Sequence, residues 1–396
     1  MAKVKITGHA SGTGVVTVTA PNTSTDRTIT LPDSTDTLIG ATTTDALTTR
    51  INGTGGRKNI IINGGMQVSQ RGASFTGLTS STFTLDRWQW SVNTGDTSTV
   101  SQSTDAPSGF GNSVKIEVTT ADSSLDATDY AGIISTLEGQ NLQSFGWGTA
   151  SAEDVTISFW CKSSVTGTYA SGIYSYGSSE WCTGTFTIDS ANTWEYKTIT
   201  IPAETTSSLP NSNGGGIEFY IRLAAGSSYS SGTPLTWGGS ANLGAGISNN
   251  FITTTNATFY LTGVQLELGS VATDFEHRSY GEELALCQRY FERFDYDGGG
   301  VAGIAGQCHG ANILYGALVY QPKRADPTVS TSTVSGSNFR VLHTGTVTNV
   351  ASFAFNANRN CTRVGAFTGS GLTSGNAGIV DTGSSQGQYI DIDAEL

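Results

Sequence analysis

Charge is what this sequence has least of. Only 13% of its 396 residues are Asp, Glu, Lys or Arg, about half the share in ordinary globular proteins. That scarcity argues against long soluble helices, which are written with Glu, Lys, Arg, Leu and Ala. The charge present leans acidic, 20 basic against 32 acidic residues. With no Lys/Arg cluster, it argues against nucleic-acid binding. No apolar run approaches the roughly 20 residues of a membrane span. The opening stretch MAKVKITGHASGTG is basic without an apolar core, so no secretory signal is expected. The five cysteines, Cys161, Cys182, Cys287, Cys308 and Cys361, are odd in number and far apart. They match neither a disulfide framework nor a CxxC zinc pattern, which suits synthesis in a reducing cytoplasm.

Ser, Thr and 50 glycines stand where charge is missing. Thr-rich, Gly-rich composition suits strands joined by tight turns. Seven Trp, 14 Tyr and 16 Phe supply core. The expected fold class is mainly β, in two or three domains at this length.

Residues 1–56 carry two strand signals, Val15–Thr19 and Thr28–Leu31, and then a linker. Two strands alone are not stable in water, so this unit needs a partner surface. Residues 57–278 read as a jelly-roll-like β-sandwich. Val155, Ile157, Phe159 and Cys161 alternate with polar neighbours, and Ile217, Phe219, Ile221 and Leu223 alternate with Glu218, Tyr220 and Arg222. Further strands are expected near 83–92, 113–119, 130–136, 183–188 and 194–201. Between Thr258 and Leu268 the phase slips at Gly263, as a bulge would make it. One linking helix is expected over 279–297, opened by the capping box Ser279-Tyr280-Gly281-Glu282. Its apolar stripe is Leu284, Cys287, Phe291 and Phe294. Residues 298–396 return to strands as a C-terminal β domain, ending on the alternation Tyr389-Ile390-Asp391-Ile392-Asp393.

Several segments, in order, resemble tail fibres and related appendages of tailed bacteriophages. GTGVVTVTAPNTSTDRTITLPDSTDTLIG is similar to their virion-proximal β unit. RKNIIINGGMQVSQRG with TLDRWQW resembles the opening of their carbohydrate-binding-module-like sandwich. LTGVQLELGSVATDFEHRSYGEELALCQRYFERF resembles its last strand and helix, while QPKRADPTV and DIDAEL resemble the distal domain. The resemblance implies a homotrimeric virion tail component made in the host cytoplasm. Its N-terminus would join other phage proteins, and its outer parts would bind a host-surface glycan or protein.

Candidate chemistry points to recognition rather than catalysis. YASGIYSYGSSEW (Tyr169 to Trp181) and SSYSSGTPLTWGG (Ser227 to Gly239) read as binding loops, rigid rings among small adaptable residues. They nominate Tyr174, Tyr176, Trp181, Tyr229 and Trp237 as glycan or receptor contacts. Asn338 and Arg340 join them from a rival site at the tip of the distal domain. Trp88 and Trp90 share a face and are expected in the core. A glycan hydrolase would need two facing carboxylates about 5–10 Å apart. The available pairs are Asp295 with Asp297, Glu180 with Asp189, and Asp391 with Asp393, all of which also read as solvated turn and strand residues. His9, His277, His309 and His343 stand apart with no triad context. Asp295-Tyr296-Asp297-Gly298 starts like a calcium loop but lacks the remaining spacing. No catalytic residue, metal site or cofactor is assigned. Two alternatives remain beside host recognition: a structural head fibre or tail collar protein with no receptor role, and a host-polysaccharide hydrolase.

Overall fold

The computed structural model describes residues 58–296, 303–336, 338–382 and 387–396. The two-strand unit and linker of residues 1–56, together with His9, Asp297 and Gly298, lie outside them.

The strands of the first domain are β1 (Ser74–Leu78), β2 (Thr82–Phe83), β3 (Gln89–Asn93), β4 (Thr97–Ser103), β5 (Ser113–Thr120) and β6 (Tyr130–Glu138). They continue as β7 (Val155–Ser163), β8 (Gly167–Ser175), β9 (Glu180–Ile188), β10 (Glu195–Ile201), β11 (Gly215–Ala225) and β12 (Thr258–Leu268). One six-stranded sheet runs β1-β4-β5-β12-β7-β10 and the other β2-β3-β6-β11-β8-β9. Both are antiparallel throughout, and together they make a β-sandwich. The alternation seen in the sequence explains it. Val155, Ile157, Phe159 and Cys161 from one sheet and Ile217, Phe219, Ile221 and Leu223 from the other are wholly buried in one core. Phe159 meets Phe186 across the sheets at 5.0 Å, and Trp88 meets Phe219 edge-on at 5.9 Å. Trp90 is also buried in this core. In β12 the register shifts between Thr262 and Gln265, where Gly263 sits at φ +62°. A Cβ there would lie 2.6 Å from the Phe110 ring, so glycine serves both the bulge and the packing.

After one helical turn, α1 (Ser227–Ser230), the next helix is α2 (Tyr280–Gln288), capped by Ser279, whose side chain accepts from the Glu282 N–H. It is shorter than the 279–297 expected. Phe291 and Phe294 do not continue its stripe but lie on β13 (Phe291–Asp295). The reason is non-local. The C-terminal strand β21 (Tyr389–Asp393) pairs with β13 residue for residue, and Asp391 grips Arg293 through two 2.7 Å bonds.

The C-terminal domain adds β14 (Ile304–Cys308), β15 (Ile313–Val319), β16 (Thr328–Thr331), β17 (Arg340–His343), β18 (Thr346–Ala357), β19 (Cys361–Thr368) and β20 (Ala377–Asp381). Strands β14-β15-β19-β18-β17-β20 close into a barrel, and β13-β21-β16 form a small sheet beside it. Leu314, Val341, Val364 and Ala366 fill the barrel, sharing a core with Ile390 and Ile392 of β21.

A buried ionic junction ties the two domains. Arg87 of the sandwich pairs with Glu395, and its guanidinium lies 3.5 Å over the Tyr290 ring. Arg71 reaches Asp393 at 3.1 Å and Glu395 at 3.3 Å. Arg324 donates to the carbonyls of Ala394 (2.6 Å), Glu395 (2.7 Å) and Asn213 (3.0 Å). Glu138 accepts from Arg289 and from the Tyr290 hydroxyl.

Candidate functional site

The inward-facing residues of β11 leave Glu218, Tyr220 and Arg222 on the outer face of the second sheet, because successive strand residues point to opposite sides. On that face lies a cleft of about 400 Å³ lined by Ser91, Tyr130, Tyr174, Trp181, Glu218, Arg222, Tyr229, Ser240 and Leu243. Its size falls in the range of small-molecule sites.

One wall is a cross-strand aromatic pair. Tyr174 of β8 stands directly opposite Trp181 of β9, with ring centroids 4.4 Å apart. The other is Tyr130 with Tyr229, edge to face at 5.7 Å. The segment 227–243 that carries Tyr229 is held against the free edge of β9 by paired backbone bonds between Trp181 and Gly238. Asn242 braces this segment from within. Its side chain donates to the Thr236 carbonyl and accepts from the Thr233 N–H, while its carbonyl accepts from the Thr183 hydroxyl. Thr183 in turn lies 2.6 Å from the Tyr220 hydroxyl under the cleft. A Cβ on Gly232 would fall 1.7 Å from Asn242 Oδ1, so the wall is built around glycine.

The floor carries one acid and one cation. Arg222, only 2% exposed, donates to Glu218 at 3.4 Å and to the Ser91 hydroxyl at 3.3 Å. It also faces the Tyr220 and Tyr130 rings at 4.9 and 5.2 Å. Burial raises the Glu218 pKa above the usual carboxylate range, with Arg222 opposing. Burial likewise raises the Tyr220 phenol. The arrangement can stack rings against aromatic faces and hydrogen-bond hydroxyls from below.

The structure brings Tyr174, Trp181 and Tyr229 together and separates the other nominated residues. Tyr169 to Trp181 is not a loop. It is the β8–β9 hairpin, with Tyr169 buried in the core. Tyr176 is 42% exposed at the turn, edge-on to Tyr174 at 4.9 Å, outside the lining. Trp237 is half-buried behind the wall. It packs on Trp147 at 5.2 Å and donates its indole N–H to the Pro202 carbonyl. Arg340 and Asn338 sit in the C-terminal domain, far along the chain from this cleft. Arg340 is held by two bonds to Asp381, and Asn338 closes its own turn onto Thr333. Tyr130, Ser91, Glu218 and Arg222 were not nominated. Their signal was the polar, outward phase of strands whose inward phase is apolar.

Of the candidate carboxylate pairs, Asp297 lies outside the described residues, and Asp391, Asp393 and Asp189 each meet a basic side chain. Asp391 binds Arg293 and Asp393 binds Arg71. Asp189 meets Lys197 at 3.4 Å, beyond the far end of β9 from Glu180. Cys308 is buried while the adjacent His309 packs on Tyr315. Among the described residues no group of three or more His, Cys, Asp or Glu is placed to hold a metal ion. No described helix is long and apolar enough to cross a membrane.

The chain is thus a mainly β protein built on a sandwich with a cleft on one outer face. No known family model and no curated protein matches it. Among solved structures it is similar to the enzymatically active domain of bacteriophage CBA120 tailspike protein 4, at 14% identity and TM-score 0.31. That match covers 53% of this chain and 21% of the tailspike chain, about a fifth of its length. It is also similar to the C-terminal family 22 carbohydrate-binding module of Clostridium thermocellum Xyn10B (13%, TM-score 0.28, covering 52% and 100%). A third is the family 11 module from the same organism in complex with a β-1,3-1,4-mixed-linked tetrasaccharide (15%, TM-score 0.26, covering 52% and 97%).

Proposed function

We propose that the sandwich binds a glycan in the cleft between the Tyr174–Trp181 and Tyr130–Tyr229 pairs. The observation that carries this is the cleft's composition: aromatic walls on both sides of a hydrogen-bonding floor, in a space of about 400 Å³. Aromatic faces suit the apolar faces of sugar rings, and the floor suits their hydroxyls. The sequence resemblance extends the proposal to biology. In it the protein is a virion tail fibre component that recognises the host surface, attaches to the phage through residues 1–56 and acts as a homotrimer. Three linked sites then raise avidity over one weak contact. The function is binding without catalysis.

The test is binding of labelled protein to susceptible cells and their purified surface polysaccharide. Saturable binding that Trp181→Ala or Tyr174→Ala abolishes is the expected result. Absence of saturable binding to any susceptible strain would overturn the recognition role. A stable 41 kDa monomer by light scattering would contradict the trimer.

A further inference from the structure

We infer that Glu218 sets the charge class of the ligand: the cleft accepts uncharged sugars that present neighbouring hydroxyls and excludes sugars bearing a carboxylate. This rests on the glycan-binding reading of the same cleft.

Among the described residues, Arg222 is the one cation and Glu218 the one acid lining the cleft, four residues apart on the same outward face of β11. Their side chains are 3% and 17% exposed, so solvent screens neither strongly. An incoming carboxylate near this pair meets attraction and repulsion of similar size, and it must still shed its own water. Its net gain is small.

A hydroxyl pair meets something different. A guanidinium has five N–H donors, and Arg222 spends one on Glu218 and one on Ser91, both bonds long. Its Nε is buried without a partner, but each terminal nitrogen keeps a second hydrogen for a ligand oxygen, while the Glu218 carboxylate accepts from a neighbouring hydroxyl. Donor and acceptor side by side match two adjacent sugar hydroxyls, one accepting and one donating. Hydrogen bonds to charged partners are the stronger kind. The Tyr174–Trp181 wall holds the ring in place above them.

Replacing the acid should reverse the selection. Glu218→Gln keeps the shape but leaves Arg222 unbalanced, so a uronate carboxylate gains an attraction no longer offset. Glu218→Asp keeps the charge and should keep the exclusion.

The experiment is calorimetric titration of the full chain with length-matched panels of neutral hexose oligosaccharides and of uronate- or sialate-bearing oligosaccharides. Wild type, Glu218→Gln, Glu218→Asp and Trp181→Ala are compared, with folding checked by thermal denaturation. Wild type should bind neutral members only. Glu218→Gln should lose on the order of ten-fold in affinity for them and gain at least as much for acidic ones. If Glu218→Gln does not fold, Glu218→Ser is read in its place: gain of the acidic members supports the role of Glu218, and unchanged selectivity overturns it. Wild-type preference for acidic members, lost in Trp181→Ala, overturns the role of Glu218 and leaves the cleft reading standing. So does unchanged selectivity in Glu218→Gln. No Trp181-dependent binding to any member overturns both.

Discussion

Arg87 and Glu395, 308 positions apart in the chain, form an ion pair in which the side chains are only 2% and 3% exposed. Arg87 Nε has no partner of its own, so Glu395 supplies much of what compensates the buried guanidinium. Removing one member of such a pair typically costs about 3–5 kcal/mol. Glu395→Gln should therefore destabilise the folded chain by about that much in urea denaturation. Arg87→Met combined with Glu395→Met should recover a large part of it. A double-variant loss equal to the sum of the two single-variant losses would show that the pair is not coupled.

Trp181 and Trp237 come from similar sequence settings, but Trp181 lines the cleft and Trp237 packs behind it on Trp147. Trp181→Ala should leave the melting temperature nearly unchanged while removing glycan binding. Trp237→Ala deletes the packing on Trp147 and the bond to Pro202. It should cost about 2–3 kcal/mol of stability. Differential scanning calorimetry beside binding titration separates the two, and loss of binding with full stability in Trp237→Ala would contradict the assignment.

Asn242 positions the cleft wall without lining it. Asn242→Ala leaves the Thr233 N–H without its acceptor and the Thr236 carbonyl without its donor. It should cost about 1–3 kcal/mol and weaken glycan binding through disorder of Tyr229. Slower but intact binding at full affinity would count against this brace.

Asp86 makes stability depend on pH. Burial pushes its pKa up to about 6 from 3.8, against the hydrogen bonds from Gln70. Between those values the folded chain keeps a proton that the unfolded chain has released, so this contribution to stability falls as pH rises. Two pKa units correspond to about 3 kcal/mol. The stability difference between wild type and Asp86→Asn should shift by about that amount from pH 3.5 to pH 7, with wild type relatively weaker at pH 7. A difference that does not change with pH would remove Asp86 from the account.

The five thiols should differ in reactivity. Cys161, Cys182, Cys287 and Cys308 are buried and Cys361 is partly exposed. Burial pushes the Cys182 thiol up to about 12 and raises Cys161 as well. A thiol reagent at pH 8 should label one equivalent quickly, lost in Cys361→Ser, and all five only on unfolding. Rapid labelling of two or more would contradict the packing.

The sandwich was legible because alternation on β7, β11 and β12 is a local property of the chain. The helix was half legible. Its cap at Ser279 is local, but its end depends on whether Phe291 and Phe294 find a strand partner, and β21 lies about a hundred residues further on. The cleft was least legible. Gly and Ser around Tyr174 and Trp181 looked like a loop, yet they lie on a hairpin. There Gly172 makes room for the Tyr220 hydroxyl, which would lie 2.9 Å from any Cβ at that position.

The shortage of charge determined the class by itself: a chain of Thr, Ser, Gly and aromatics can form strands and turns and little else. It also left few charged residues to place. Where they went was decided by tertiary structure, because the value of a charge depends on its partner and on the water it has lost. Arg71, Arg87, Arg289, Glu138 and Glu395 meet at the junction between the sandwich and the C-terminal strands, where the buried Arg87, Glu138 and Glu395 each find a partner. Glu218 and Arg222 are the charged pair among the described residues that line the cleft, brought among Tyr130, Tyr174, Trp181 and Tyr229 by strand pairing that no local pattern records.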